Sequence, residues 1–433
     1  MLKVPYVTNY LTEHCGDDSY ASLEGYERQG GYATARRVLT KLTPDDVIQL
    51  VKASGLQGRG GAGFSAGLKF SFMPKESSPG NPSYLVCNGD ESEPGSFKDR
   101  ILLERAPHKL LEGLLIAARA TRAQKSFIYI RGEYAQPARI VQAAIDEAYE
   151  RGYLGEDVMG TGFTHDVVLA RGAGAYICGE ETGLLESLEG KRGQPRKKPP
   201  FPAQFGAFGR PSTVNNVETF CHLRHILENG AEWFRGFGTE ASPGTTIFGV
   251  SGHVVRPGLY ELPLGTPLDE IIFEHAGGMV DGRKVKGVIP GGLSMPILPA
   301  GQLDVPMASE SLKERQTLLG TGGIIVMDET TCMVRAGCVI AHFYRDESCG
   351  QCTPCREGTG WVEKILERIE RGGGCLEDLD ILSDVCAHME GHTICALADA
   401  AAWPIQGLLR HFRDDFESHI REGKCTFTGS FEL

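Results

Sequence analysis

Three short apolar runs, SYLVCN (83–88), SFIYIRG (126–132) and DVVLARG (166–172), alternate with amphipathic stretches at 107–120 and 137–151. Buried strands separated by helical crossovers fit this pattern. The region from about 70 to 227 therefore predicts an α/β layer with a mainly parallel sheet. That sheet limits where a ligand can sit, because loops leaving the carboxyl ends of parallel strands form the usual crevice.

The flanks have their own signatures. Before the sheet, Thr43 offers an N-cap, Pro44 suits the first helical position, and Asp45 and Asp46 match the positive end of a helix dipole. Val47, Leu50 and Val51 make one apolar face, Gly55 ends the helix, and a glycine-rich loop follows. Residues 241–298 change character to hairpin strands, one helix and a further strand, a compact α+β module. The last hundred or so residues predict a helical bundle. Its stripes are Val362, Ile365, Leu366 and Ile369, then Leu376, Leu379, Leu382, Val385 and Met389, then 398–419. No repeat or low-complexity tract is present.

The 433 residues allow about three domains, and the net charge of −12 argues against a duplex-binding protein. No stretch reaches the roughly 18 apolar residues of a membrane span; the best, 110–120, is interrupted by Glu112. The first residues lack a signal-peptide core. A reducing compartment is therefore expected, so the 13 cysteines call for ligation or packing rather than disulfides.

Cys349-Gly-Gln-Cys352-Thr-Pro-Cys355 places three thiols at two-residue intervals, the spacing that serves three irons of one cubane cluster from a single loop. Zinc sites more often use separate C-x2-C knuckles. A fourth ligand must come from elsewhere. Cys395 sits between two predicted helices, whereas Cys375 and Cys386 lie within or beside a helix and are expected to pack.

Other passages suit phosphates and sugars. Gly58-Arg59-Gly60-Gly61-Ala62-Gly63 has the form G-x-G-x-x-G but follows a helix where the dinucleotide fingerprint needs a strand. Its amides and Arg59 still suit a phosphate; the alternative is a flexible connector. CNGDESEPG (87–95) follows a strand and offers carboxylates and an Asn for hydroxyls, or is a solvated acidic turn. GAGAYICGEETGLLESLEG (172–190) is a second strand–glycine loop–helix passage with Glu180 and Glu181 at the helix start. Lys191, Arg192, Arg196, Lys197, Lys198 and Phe201 form a basic, proline-rich stretch, either phosphate-receiving or a linker. Trp403 and the methionines are assigned to the core. Nucleotide loops beside an iron–sulfur site imply a nicotinamide giving two electrons, a cluster accepting one, and a flavin between them.

GRGGAGFSAG (58–67), CNGDESEPGSFKDR (87–100), RGAGAYICGEETGLLESLEG (171–190), KPPFPAQ (198–204), NNVET (215–219) and ESCGQCTPCREG (347–358) together resemble the NADH-binding flavoprotein subunit of respiratory complex I. The resemblance covers nearly everything beyond about residue 25. It implies a multidomain α/β chain in four parts: 1–65, ending in the glycine loop; 66–237, a Rossmann-like FMN/NADH domain; 238–325, a β-grasp soluble-ligand-binding module; and 326–433, a helical bundle carrying a [4Fe–4S] cluster. FMN is then expected at Gly58, Arg59, Gly60, Gly61, Ala62, Gly63, Gly67, Lys69, Asn88, Asp90, Glu91, Ser92, Tyr176, Gly179, Glu180, Asn215, Asn216 and Thr219. NADH is expected beside Phe64, Phe72 and Phe201, with Glu93, Glu181 and Lys198 as polar contacts. Cys349, Cys352, Cys355 and Cys395 are expected to hold the cluster. Phe70 replaces a common Trp, and Gly89 and Gly183 replace common Ala; Cys332 and Cys338 match no ligand pattern.

By the same resemblance, hydride passes directly from NADH to FMN without a general base, and electrons leave through the cluster. The expected partners are a thioredoxin-like [2Fe–2S] subunit and the large Fe–S subunit, at the cytoplasmic side of a bacterial inner membrane. The competing reading is the diaphorase subunit of an NAD-linked hydrogenase, formate dehydrogenase or bifurcating enzyme. Such chains often carry additional cysteine-rich extensions; here Cys15 alone precedes Cys87 and Cys425 alone follows Cys395. A zinc-holding scaffold without activity is the non-enzymatic alternative.

Overall fold

The computed structural model describes residues 5–78 and 80–427; the outer ends of the first and last expected segments lie outside that description. Strands β1 (Tyr84–Gly89), β2 (Lys125–Ile130), β3 (Asp166–Arg171) and β4 (Ser212–Asn216) form a parallel sheet in the order β3-β2-β1-β4. The first three are the apolar runs read from the sequence. β4, Ser-Thr-Val-Asn-Asn, has too few apolar residues to announce itself, yet it pairs along β1 and is mostly buried.

The helices around the sheet that bear on the site are α1 (Pro44–Ser54), α2 (Ala66–Ser71), α3 (Asp99–Arg105), α4 (Pro107–Thr121), α5 (Ala135–Glu150), α6 (Glu181–Leu188) and α7 (Val217–Asn229). α1 starts as its sequence predicts. Asp46 N–H donates to Thr43 Oγ1 at 3.2 Å, and Thr43 N–H donates back to the Asp46 carboxylate at 2.8 Å. Gly55 then closes the helix at φ 71°. α4 contains the apolar stretch 110–120 and is almost wholly buried. The Glu112 charge inside it is met by the amides of Tyr32 and Ala35, each at 3.0 Å, so this is a core helix. Among the described residues no helix is long and apolar enough to cross a membrane.

A second sheet has the order β6-β5-β9-β7-β8, with β5 (Thr245–Gly252), β6 (Gly258–Pro263), β7 (Val285–Ile289), β8 (Leu298–Pro299) and β9 (Gly323–Asp328). The hairpin β5–β6 is as expected, but the module extends past residue 298. β9 fills the centre, parallel to β5 and antiparallel to β7. A segment break between residues 325 and 326 would fall inside this strand.

The bundle consists of α8 (Met333–Glu347), α9 (Thr353–Glu370), α10 (Glu377–Met389) and α11 (Leu397–Glu422). α8 adds a helix to the three stripes read from the sequence. One apolar cluster joins the bundle to the first sheet through Val86, Phe127 and Val214, and to the second through Ile289 and Ile297. The loops between these units are thereby held in fixed register. Cys15, Cys87, Cys178, Cys221, Cys332, Cys338 and Cys386 are buried, whereas Cys375 is exposed. The packing expected of Cys375 therefore fails: it stands in the turn after Gly372–Gly374, before α10 begins.

Candidate functional site

Loops leaving β1, β3 and β4 line one cavity of about 670 Å³, closed by the glycine loop, the second sheet and the start of α11. From β1 the sheet continues on one side to β2 and on the other to β4, so adjacent loops diverge and open a crevice there. The volume lies in the range of small-molecule and cofactor sites. Gly58, Arg59, Gly60, Gly61, Ala62, Gly63, Asn88, Asp90, Glu91, Ser92, Glu93, Tyr176, Gly179, Glu180 and Asn216 all line it.

The glycine loop is built to receive an anion. Arg59 N–H donates to Thr219 Oγ1 and Gly58 N–H to Phe64 O, at 2.9 and 2.8 Å, which pins the loop at both ends. The amides of Gly60, Gly61, Ala62 and Gly63 have no partner among the described residues. Gly61 and Gly63 hold φ 112° and 65°, conformations that favour glycine. Free amides on a loop shaped by glycines suit a phosphate, and the donor set fits FMN at this end. The Arg59 guanidinium is less available than its sequence suggests: it is buried and donates to Pro243 O at 2.9 Å.

The acidic loop after β1 divides its carboxylates between two tasks. Glu91 faces the protein. It accepts from the amides of Asp99 and Arg100, at 2.9 and 3.1 Å, and so caps α3, while Ser96 and Tyr134 hydroxyls complete its shell. Glu93 is pinned by the Ser294 amide and hydroxyl, both at 2.7 Å, and by the Tyr176 hydroxyl at 2.6 Å. Burial raises its pKa, against those three hydrogen bonds. Burial likewise pushes the Asp90 carboxyl up to about 7, opposed by the Ser92 hydroxyl and Arg131.

Beneath the cavity lies a buried ionic knot that sequence reading missed, although Lys98 and Asp99 stand in a quoted motif. Lys98 Nζ is 2.9 Å from Asp99 Oδ1 and 2.7 Å from Glu218 Oε2, and Asn216 donates to Asp99 Oδ2 at 2.5 Å. Against full desolvation, Lys98 and His222 hold Glu218 down to about 2. Trp403 and Met295 also line the cavity: Met295 is buried in the core cluster as expected, whereas Trp403 is only partly buried against it and serves as a cavity wall as well. Trp403 is oriented there by its Nε1–H donating to Glu390 at 2.7 Å.

Phe64, Phe72 and Phe201 are 49%, 56% and 54% exposed, and the Phe64 and Phe72 rings are 6.3 Å apart. Lys69 and Glu181 pair at 2.6 Å, and Lys198 lies 3.1 Å from Glu181 and 3.3 Å from Glu180. Despite desolvation, the two lysines hold Glu181 below its ordinary range. Phe64, Phe72, Phe201, Lys69, Glu181 and Lys198 stand outside the cavity lining, as do Gly67, Asn215 and Thr219, whereas Glu180 belongs to it. Gly67 abuts the backbone of Lys52, where a Cβ would approach to 2.6 Å, so it packs α2 on α1. Asn215 donates to Thr213 Oγ1, and Thr219 supports Arg59 from behind. The two glycines that depart from common alanines are explained by packing: a Cβ would lie 2.9 Å from Tyr129 O at Gly89 and 2.7 Å from Ile177 O at Gly183.

Cys349, Cys352, Cys355 and Cys395 line a second, smaller pocket together with Ile177, Thr393, Ile394 and Leu397. The structure thus brings Cys395 to the loop and leaves Cys386 in the bundle core. Cys352 caps α9, Cys395 directly precedes α11, and the Ile394 amide lies 3.4 Å from Cys352 Sγ. Two helix N-termini and an N–H···S contact favour negative charge here, which fits a cluster held by four thiolates. Ile177, Cys395 and Leu397 belong to both pockets, so the two sites share a wall.

Family models agree with this division. The Nuo51 FMN-binding domain matches residues 51–225, the SLBB domain 247–298, and the NADH-ubiquinone oxidoreductase-F iron-sulfur binding region 338–419. An F-type NADH-quinone oxidoreductase chain of Rhizobium meliloti (strain 1021) is 52% identical over 405 residues, 94% of this chain and 96% of the relative. The mitochondrial NADH dehydrogenase [ubiquinone] flavoprotein 1 of Dictyostelium discoideum is 49% identical over 417 residues, 96% of this chain and 86% of the relative. Among solved structures, an air-oxidized NAD+-reducing [NiFe]-hydrogenase superposes with a TM-score of 0.82 at 36% identity, covering 98% of this chain and 69% of that one. With its FMN-binding and [4Fe–4S]-binding regions, the chain belongs to the Nuo51 family of NADH-quinone oxidoreductase subunits.

Proposed function

We propose that the chain is the electron-input subunit of an NADH:quinone oxidoreductase, oxidising NADH and passing single electrons to its [4Fe–4S] cluster and then to partner subunits. One observation carries this reading: the flavin cavity and the four-cysteine pocket share Ile177, Cys395 and Leu397 as a common wall. FMN supplies a carrier that takes electrons in pairs and releases them singly.

The residues do the positioning. The free amides of Gly60, Gly61, Ala62 and Gly63 receive the FMN phosphate, and Asn88 and Asp90 meet hydroxyl groups at the strand ends. Phe64, Phe72 and Phe201 form the aromatic entry for NADH, with Lys198 and Glu181 at its polar side. Orientation of the nicotinamide is the main contribution to rate, since direct hydride transfer needs no general base. Glu93, held by Tyr176 and Ser294, places a fixed carboxylate where an adenosine 2′-phosphate would be repelled, favouring NADH over NADPH.

A thioredoxin-like [2Fe–2S] subunit and the large Fe–S subunit are the proposed partners, with the assembly peripheral to the cytoplasmic face of a membrane. Exposed Ile394 and Trp361 near the cysteine loop suit such a contact. The second reading, a hydrogenase-type diaphorase subunit, is supported by the structural likeness at 36% identity. The near-50% identity to the quinone oxidoreductase chains favours the first. The subunits that co-purify decide between the two. Anaerobic NADH added to the purified chain should bleach the flavin and drive ferricyanide reduction; a chain doing neither refutes both readings.

A further inference from the structure

Cys332, unexplained by any iron–sulfur spacing, sits at the opposite end of the bundle from the cysteine loop. It caps α8, Glu370 ends α9, His419 lies near the end of α11, and Cys425 follows that helix. Their ligand atoms all lie within 4.8 Å of one another. His419 Nε2 is 3.4 Å from Cys332 Sγ and 3.4 Å from Glu370 Oε2, and Cys332 Sγ is 4.0 Å from the same carboxylate oxygen. Tetrahedral zinc with bonds of about 2.0–2.3 Å places neighbouring ligands roughly 3.3–3.8 Å apart. These side chains already stand close to that geometry.

The surroundings orient the donors. His419 Nδ1 lies 2.9 Å from Asp415 O, a bond it makes as an N–H donor, which turns Nε2 toward the other three side chains. The Arg335 amide donates to Cys332 Sγ at 3.3 Å. Cys332 and His419 are buried, and the Phe427 ring lies nearly parallel to His419 with centroids 6.3 Å apart. Two thiols, an imidazole and a carboxylate select zinc over the oxygen-seeking calcium and magnesium.

We propose that Cys332, Glu370, His419 and Cys425 bind one zinc ion, which fastens the chain beyond α11 to the ends of three bundle helices. Four protein ligands leave no open position, so the ion is structural rather than catalytic. It stands roughly 22 Å along α9 from Cys355, at 1.5 Å per residue, and so is separate from the electron path.

The test uses the full chain carrying its flavin and cluster, incubated with excess Zn2+, desalted, and assayed for zinc, iron and flavin. About one zinc per chain is expected in the unaltered protein. Zinc should fall roughly tenfold or more in Cys425→Ser and in His419→Gln, with iron and flavin unchanged. Cys425→Ser alters a partly exposed residue outside the helices, and the intact iron content reports that the bundle is folded. An unaltered chain that holds no zinc, or zinc retained in both variants, overturns the proposal. Zinc lost in Cys352→Ser but kept in Cys425→Ser also overturns it, since the ion would then sit at the cysteine loop. The proposed function stands on iron and flavin instead, so its failure is read separately.

Discussion

The flavin cavity and the cysteine pocket share a wall but are stabilised in opposite ways. In the cavity almost every charged group is answered within the protein: Lys98 by Asp99 and Glu218, Glu91 by two amides, Glu93 by Tyr176 and Ser294. At the cysteine pocket four thiols meet with few partners, chiefly the Ile394 amide and the Ser348 hydroxyl. One site is preorganised by hydrogen bonds, whereas the other depends on what it coordinates. The cavity should therefore keep its shape without ligand, and the cysteine loop should not.

The largest expected effect breaks one side of that contrast alone. Cys352→Ser should abolish the cluster, seen as a loss of iron and of the reduced-cluster EPR signal, while flavin content stays near that of the unaltered chain. Flavin lost together with iron would mean that the cavity is not independently organised.

Next, Lys98→Met attacks the cavity's own support. It leaves Asp99 and Glu218 buried with no cation between them, at a cost of about 3–5 kcal/mol. Thermal unfolding of the flavin-free chain should show it as a clear fall in Tm. An unchanged Tm would remove the ionic knot from the account.

Asp90 tests what preorganisation costs. Its folded pKa of about 7 lies above the ordinary 3.8, so the folded state holds the proton more tightly. Stability of the flavin-free chain should fall as pH rises from about 4 to about 7, by some 2–4 kcal/mol. Asp90→Asn should reduce that slope, leaving the part that belongs to Asp99, which burial also pushes up to about 7, and should weaken FMN binding by roughly tenfold, about 1.4 kcal/mol. A slope undiminished in Asp90→Asn belongs to other groups.

The smallest effect concerns specificity. Glu93→Gln should raise kcat/KM for NADPH relative to NADH by roughly tenfold, again about 1.4 kcal/mol. Because burial raises the Glu93 pKa, the unaltered preference should also relax as pH falls. An unchanged ratio removes Glu93 from discrimination.

Sequence carries the local chemistry well and the long-range assembly poorly. The cap of α1, the three apolar strands and the Cys-x2-Cys-x2-Cys loop each depend on neighbours within a few residues, and each is legible. β4 is not, because a short polar edge strand gains its identity only by pairing; β9 is an apolar, β-branched run, but its place at the centre of the second sheet shows only in the fold. Trp403 reads as core since a single aromatic in a helical stripe carries no sign of a cavity wall. Glu91 and Glu93 look alike in the chain, yet one caps α3 and the other is held by Ser294, about two hundred residues away. Exposed Cys375 and the quartet around Cys332 lie beyond reach for the same reason: only the fold says which cysteines meet.

The most direct measurement of the central claim is an anaerobic titration of the purified chain with NADH, following flavin absorbance and cluster EPR together. Both should be reduced in the unaltered chain, and in Cys395→Ser the flavin should still bleach while the cluster signal is absent. Flavin that bleaches in the unaltered chain without any electron reaching the cluster would contradict a shared-wall route between the two sites.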